Sequence, residues 1–314
     1  MSFFKVLKKK NIKNLLKQYF HCHVLLYAFF VAILHGFSRK SMEITRNAIN
    51  NKILKKLRSK NKKFIKNFKM THNFENESHV LSDIIWVAWF QGEDQAPILV
   101  KKCLKSIRES FPQKRVEVIT KDNYKNFIEL PEYIIKKFTK GMITYTHFSD
   151  ILRLALLSKY GGTWIDATVL ITGEKIPEFI MNSDLFMYQI LKPGLDGQPT
   201  RISSWFITAK TNHCIIELTK ELLFNYWKKK KFLMDYFLIH DFFELAIEAY
   251  PEQWYKVPQI SSEMPHILLL HINDEYDDVL WNNILSVSPI HKLSYKICDE
   301  NKENTLYQKI VKDF

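Results

Sequence analysis

An α/β fold with a mainly parallel central sheet is what this 314-residue sequence predicts, and three observations predict it. Short runs rich in Val, Ile and aromatic residues alternate with longer helical patterns. Several of those runs are apolar throughout, as strands covered on both faces are. The composition, 46% hydrophobic and 25% charged, is that of an ordinary folded domain with enough material for a sizeable core.

Taken in order, residues 83–90 (DIIWVAWF) read as a buried strand ended by Gln91, Gly92 and Glu93. Pro97 opens a helix running to about Ser110, and residues 115–120 (RVEVIT) alternate as a second strand. Short helices are expected at 122–128 and 131–138. Residues 146–160 form a largely buried helix, with Ser149 in its first turn and Gly161 as its left-handed stop. Three more strands are expected at 164–172, 185–190 and 205–209, then helices at 211–229 and 233–249. An apolar strand at 266–272 (HILLLHI) stands in a mixed final segment, 251–314, to which the pattern assigns no role.

The formal charge of +13 is unevenly placed. Residues 1–70 hold 18 Lys and Arg against the single acid Glu43, and the remainder is mildly acidic. That distribution argues against a nucleic-acid groove across the main domain. It predicts instead a basic helical segment, 1–70, a linker, 71–80, and a main domain, 81–314. Within the segment, residues 24–34 (VLLYAFFVAIL) are unbroken apolar, marginal for crossing a bilayer but suited to lying in one beside basic flanks. The expectation is attachment to an anionic membrane surface through residues 1–70. A buried helix with solvated basic flanks is the plainer alternative.

Four cysteines stand far apart without a CxxC pair, so neither a zinc site nor a disulfide framework is indicated. The eight glycines form no GxGxxG and no GxxxxGK[ST]. Any nucleotide must therefore be held by another device.

The informative stretch is residues 147–169, HFSDILRLALLSKYGGTWIDATV. Asp150 and Arg153, three apart on one helix, project to the same side. Asp166 follows near the end of the next strand. In an open α/β sheet, strand C-termini and helix N-termini converge on one crevice, so these three can meet. Two carboxylates and a guanidinium suit a diphosphate neutralised by Mg²⁺ or Mn²⁺.

These residues resemble the signature of bacterial capsular polysaccharide synthesis glycosyltransferases, related to the sugar-binding-region family with a DxD motif. Residues 84–92 (IIWVAWFQG), with Pro97, Cys103 and Ser106, resemble that family's opening strand and helix, and 235–243 (DYFLIHDFF) a downstream segment. The likeness covers roughly residues 80–250. It implies a GT-A type fold, a nucleotide-sugar donor, a divalent metal and retention of anomeric configuration. By resemblance Trp89 would stack on the base, and Gly92 and Gly162 would lie at the nucleotide sugar. Asp150 and Arg153 would hold ribose and phosphate, and Asp166 the metal and diphosphate, with His240 a weaker metal or phosphate contact. One departure stands out: the second acid of a DxD motif is replaced by Thr168, a neutral hydroxyl that compensates less cationic charge.

Together these readings predict an enzyme at the cytoplasmic face of a bacterial inner membrane, passing a sugar to a lipid-linked or oligosaccharide acceptor. A sugar- or polyol-phosphate transferase, or a scaffold keeping a degenerate donor fold, are the rivals. Individual residues also have plain structural readings. Asp150 and Arg153 would make an ordinary helix-surface pair. Trp89 would be a core aromatic, and His240, between Phe237 and Phe243, a core histidine. Asp166 in an apolar strand resists such a reading, because a lone carboxylate there is costly unless paired.

Overall fold

The computed structural model describes residues 9–74, 77–173, 176–191 and 199–314. The first eight residues of the expected basic segment and residues 75–76 of the expected linker lie outside these. The basic segment forms three helices, α1 (Lys9–His21), α2 (Leu25–His35) and α3 (Arg39–Thr71). The body follows with β1 (Ile84–Ala88), α4 (Ile98–Ser110), β2 (Arg115–Ile119), α5 (Glu132–Thr139), α6 (Tyr145–Tyr160) and β3 (Gly162–Ile165). Next come β4 (Val169–Ile171), α7 (Glu178–Asn182), β5 (Leu185–Gln189), β6 (Ile202–Ala209), α8 (Cys214–Lys229) and α9 (Leu238–Ala249). Short helices α10 (Pro251–Tyr255) and α11 (Ile267–His271), then α12 (Asp278–Val287), β7 (Ile290–Lys292) and α13 (Leu306–Asp313) complete it.

The main sheet has the order β2-β1-β3-β6-β5. It is mixed where a mainly parallel one was expected. β1 runs parallel to β2 and β3, but β6 is antiparallel to both β3 and β5. The parallel half follows from the connections. A parallel crossover needs a dozen or more residues, usually a helix, and α4 and α6 supply one on each side of β2. β6 is the reversed strand: it follows β5 in the chain and pairs antiparallel with both β5 and β3, so β5 runs in the same direction as β3. The sheet is a small mixed one flanked by helices, without a clear GT-A outline.

Successive β1 residues face opposite cores. Trp86 packs with Phe148, Trp164 and Phe242 under α6, α8 and α9, whereas Ile85 and Val87 meet Val100, Leu104 and Phe206 on the other side. The final segment builds a third cluster, in which Leu99 and Cys103 of α4 meet Leu268, Trp281 and Ile310.

Two expectations are corrected. The run 164–172 is two strands, not one. The chain turns after Ile165, with Val169 N–H donating to Asp166 O at 3.0 Å. β4 then leaves the main sheet to pair antiparallel with β7, Leu170 opposite His291. The run 266–272 is a helical turn rather than a strand. Leu268 and Ile272 are buried and Leu270 is exposed, a spacing of four that a strand would not give.

The N-terminal helices share the core of the body rather than standing apart. Ile49, Ile53, Leu54 and Leu57 of α3 belong to the same cluster as Phe242. Arg58 donates through two nitrogens to the Glu248 carboxylate of α9, and Gln18 Nε2 donates to Met234 O at 2.6 Å. Lys56 of α3 donates to the carbonyls of Cys22 and His23 at 2.8 and 2.9 Å, compensating the C-terminal end of α1.

Gly162 is required by the backbone. Its φ is +92°, and a Cβ there would stand 2.4 Å from Ile84 O on β1. Gly162→Ala is therefore expected to cost at least about 1–3 kcal/mol from the dihedral alone, as a lower urea midpoint in equilibrium unfolding.

Candidate functional site

Helix α6 starts at Thr144, whose hydroxyl accepts from His147 N–H. It is then buried along almost its whole length, from His147 to Ser158. Most of that surface is Leu, Ile, Ala and Phe, so its polar side chains must find partners or impose the cost of uncompensated burial. They form a continuous chain of contacts. Trp227 Nε1 of α8 donates to His147 Nε2 at 2.8 Å. An indole N–H can only donate, which places the imidazole proton on Nδ1, 3.5 Å from Asp150 Oδ2. Asp150 Oδ1 lies 3.1 Å from Arg153 Nη1.

From Arg153 the chain leaves the helix. Its Nη2 donates to Asp166 Oδ1 at 3.0 Å, and its guanidinium lies over the Trp164 ring, 4.8 Å from the centroid. Trp164 Nε1 donates to the same Asp166 oxygen, also at 3.0 Å. The other oxygen, Oδ2, faces Lys292 Nζ of β7 at 3.1 Å, and that ammonium donates to Thr168 Oγ1 at 2.6 Å. The side chains of Asp150 and Arg153 are only 10% and 4% exposed, so the pair is not a solvated surface pair; Asp166, at 27%, forms the open end.

Two carboxylates and two cations leave this line of charge balanced. Burial by itself would raise the Asp166 carboxyl. Lys292, Arg153 and the Trp164 N–H outweigh burial and hold it below the usual carboxylate value. Asp166 thus stays ionised at neutral pH.

The structure brings Asp150, Arg153, Asp166 and Thr168 into this one cluster. Trp89 stands just after β1, its N–H donating to Ile119 O at 2.9 Å. Extending the β1–β3 register, Trp86 opposite Trp164, sets Asp166 beside Ala88, so Trp89 and Asp166 share the C-terminal edge of the two parallel strands. The Trp89 ring meets Tyr295 edge-on, centroids 5.7 Å apart. Gly92, with φ +84°, closes the turn back to Trp89 O. Gly162 falls elsewhere. It begins β3 at the end opposite Asp166, and its close approach to Ile84 accounts for it without a ligand.

His240, in the first turn of α9, lies near the cluster but makes no hydrogen bond to its side chains. It lines a neighbouring cleft with Arg46 and Asn47 of α3, Ser203, Asp235 and Asp241. Burial pushes its imidazole down to about 4, with Asp150 and Asp166 opposing and Arg153 adding to the shift. It is neutral at pH 7. Beside it, burial and the neighbouring Asp235 and Glu244 push the Asp241 carboxyl well up.

A divalent ion between Asp166 and position 168 does not fit the residues present. The Lys292 ammonium already stands between them, and Asp166 Oδ1 is engaged by two donors. Among the described residues no group of three or more His, Cys, Asp or Glu is placed to hold a metal.

Sequence reasoning missed Lys292, His147, Trp164 and Trp227. Lys292 is one cation in a three-residue strand 124 residues beyond Thr168, and no local pattern marks it. Trp164 carried a signal, since it is two residues before Asp166 on one strand face.

The fold and this site define a mixed α/β protein with a buried, charge-balanced centre at one edge of its parallel strands. Residues 31–310 match the family model described as capsular polysaccharide synthesis protein, and the chain belongs to that family. No curated protein sequence matches it. Among solved structures, the one named "PaToxG Glycosyltransferase" is similar at 14% identity over 84% of this chain and 97% of its own, with a TM-score of 0.37.

Removing Arg153 would leave Asp150 and Asp166 buried without the cation between them. Arg153→Met should lower unfolding free energy by about 3–5 kcal/mol in urea titration. The depressed Asp166 pKa has a defined sign. Its stabilising contribution is complete above its unfolded value of 3.8 and is lost as pH falls through the lower folded value. Asp166→Asn should flatten that acid limb of the stability–pH curve.

Proposed function

We propose that this capsule-synthesis protein is a glycosyltransferase, moving a sugar from a nucleotide-sugar donor to a lipid-linked or oligosaccharide acceptor at a membrane surface. The observation that carries the reading is a buried ion chain that opens at Asp166 and Lys292, with Arg153 holding Asp166 from behind. Fixed cationic donors in a site of low dielectric are what a departing diphosphate requires, because they meet its developing charge without reorganising. Trp89, half-buried beside Tyr295 on the same strand edge, is suited to stack on a base. Tyr236 is 62% exposed, and Asp150 and Asp166 add to the burial that raises its hydroxyl.

The same reading places the chain on a bilayer through its N-terminal helices. Leu26, Phe29, Phe30, Ile33, Leu34 and Phe37 recur at helical spacing, and each is more than half exposed. Ala28 and Val31 are turned inward. No helix among the described residues is long and apolar enough to cross a membrane. An apolar stripe facing outward beside a strongly basic α3 is complementary to an anionic lipid surface, into which it would sink without crossing. This would bring the site to a lipid-linked acceptor at the cytoplasmic leaflet.

Transfer is tested by incubating the full chain with UDP-, GDP- and CMP-sugars and membrane lipid acceptors, then analysing the linkage formed. A glycosidic product is expected; a phosphodiester would favour phosphoryl transfer instead. Asp166→Ala should reduce kcat by about 10²–10³ or more while remaining folded by circular dichroism; near-normal turnover removes the proposed site. Separately, the triple substitution Leu26→Ser, Phe30→Ser, Leu34→Ser in the full chain should abolish flotation with phosphatidylglycerol vesicles at high salt. Flotation equal to wild type would remove the lipid contact from α2.

A further inference from the structure

We propose that Lys292 is a catalytic residue of this site, its ammonium standing where a divalent metal would and binding the donor diphosphate, so that transfer needs no metal ion. The inference rests on the glycosyl-transfer reading above. Its ground is position. Nζ lies 3.1 Å from Asp166 Oδ2 and 2.6 Å from Thr168 Oγ1, bridging the first and third residues of the motif. A hydroxyl in place of a second carboxylate is a poor ligand for a divalent ion but a good acceptor for an ammonium, which carries one charge rather than two. The substitution of Thr168 and the presence of Lys292 thus explain each other.

The lysine is held, not loosely draped. Val169 of β4 is paired with Lys292, and Leu293 N–H donates to Thr168 O at 2.8 Å. Its neighbours His291 and Leu293 are buried. The side chain itself remains 18% exposed, so the ammonium has an open side. An ammonium has three N–H donors. Asp166 and Thr168 take two, which leaves one for a phosphate oxygen. Arg153, buried on the far side of Asp166, is paired with Asp150 and Asp166, so the Lys292 ammonium is the cation with an open side. The ionised Asp166 between them keeps both cations in place.

In the step this serves, the bond between the sugar's anomeric carbon and the β-phosphate oxygen breaks, and its electron pair leaves on that oxygen. The acceptor hydroxyl oxygen bonds to the anomeric carbon, and its proton passes to the departing diphosphate. Sugar and acceptor are joined and a nucleoside diphosphate is released, with no oxidant, reductant or further reactant. Lys292 meets the negative charge as it builds on the leaving phosphate, and Arg153 positions Asp166 behind it.

The test uses the full chain in calorimetric titrations with UDP, GDP, ADP and CDP, in EDTA and in Mn²⁺, with the electron spin resonance of free Mn²⁺ as a second readout. The expected result is one nucleoside diphosphate binding equally in both buffers, with no protein-dependent loss of the Mn²⁺ signal in the absence of nucleotide. Lys292→Met should weaken that binding about ten- to a hundredfold, the range for a charge-assisted contact, and Mn²⁺ should not restore it; Lys292→Arg should recover part. Binding or transfer that EDTA abolishes overturns the inference and leaves the transfer reading standing. Wild-type binding by a folded Lys292→Met protein overturns it too. If none of the nucleoside diphosphates binds in either buffer, this inference falls, while the glycosyl-transfer reading is decided by the linkage analysis above. Should the methionine variant fail to fold, the wild-type comparison between the two buffers still decides.

Discussion

The structure depends on a line of alternating charge, Asp150–Arg153–Asp166–Lys292, drawn through the place where α6, the turn after β3 and strand β7 meet. Ions buried this far cost several kcal/mol each unless their partners are well aligned. The alignment constrains the fold around it. α6 must present Asp150 and Arg153 to one side, β3 must end at Ile165 so that Asp166 can turn toward Arg153, and β4 must leave the sheet to bring β7 alongside. Trp164 and Trp227 close the line with indole N–H donors, one on Asp166 and one on His147. A hydrophobic replacement would pack as well. The charge-balanced chain opens to solvent at Asp166 and Lys292, where a ligand could reach it.

The N-terminal helices serve two surfaces at once. One side of α3 completes the core beside α9, so the basic segment cannot be removed without uncovering Ile49, Ile53 and Leu57. The outward side of α2 carries its apolar residues into solvent. An arm that is structurally part of the body but chemically unlike it ties the cleft lined by Arg46, Asn47 and His240 to whatever surface α2 meets. A packed link of this kind would fix the distance between that cleft and the surface α2 meets, which a flexible tether would leave free.

Much was legible in the sequence where the cause is local. The apolar run 84–88, the helix around Leu152 and its stop at Gly161 follow from side-chain pattern and backbone preference, both short in range. Asp150 and Arg153 share a helix face because three residues make nearly one turn. The reading failed where the outcome depended on distant partners. The run 164–172 carries Asp166 and Thr168 among apolar residues, and its break into two strands was missed because the second strand pairs with the distant β7. The reversal of β6 between β3 and β5 depends on pairing between distant segments, and 266–272 was misread because a short apolar run suits a strand as well as a helical turn.

By itself the sequence determined most of the helices before residue 250, the apolar core strands and where the unusual carboxylate lies, since those follow from hydrophobic periodicity and the cost of isolating a charge. It also determined the division into a basic arm and a near-neutral body. Only the tertiary structure decided what compensates Asp166. The β4–β7 pairing sets Lys292 against it from 126 residues away in the chain, counting from 166 to 292. A single lysine in a three-residue strand carries no signal until that register places it. Electrostatic compensation acts through space, and a sequence records only order along the chain.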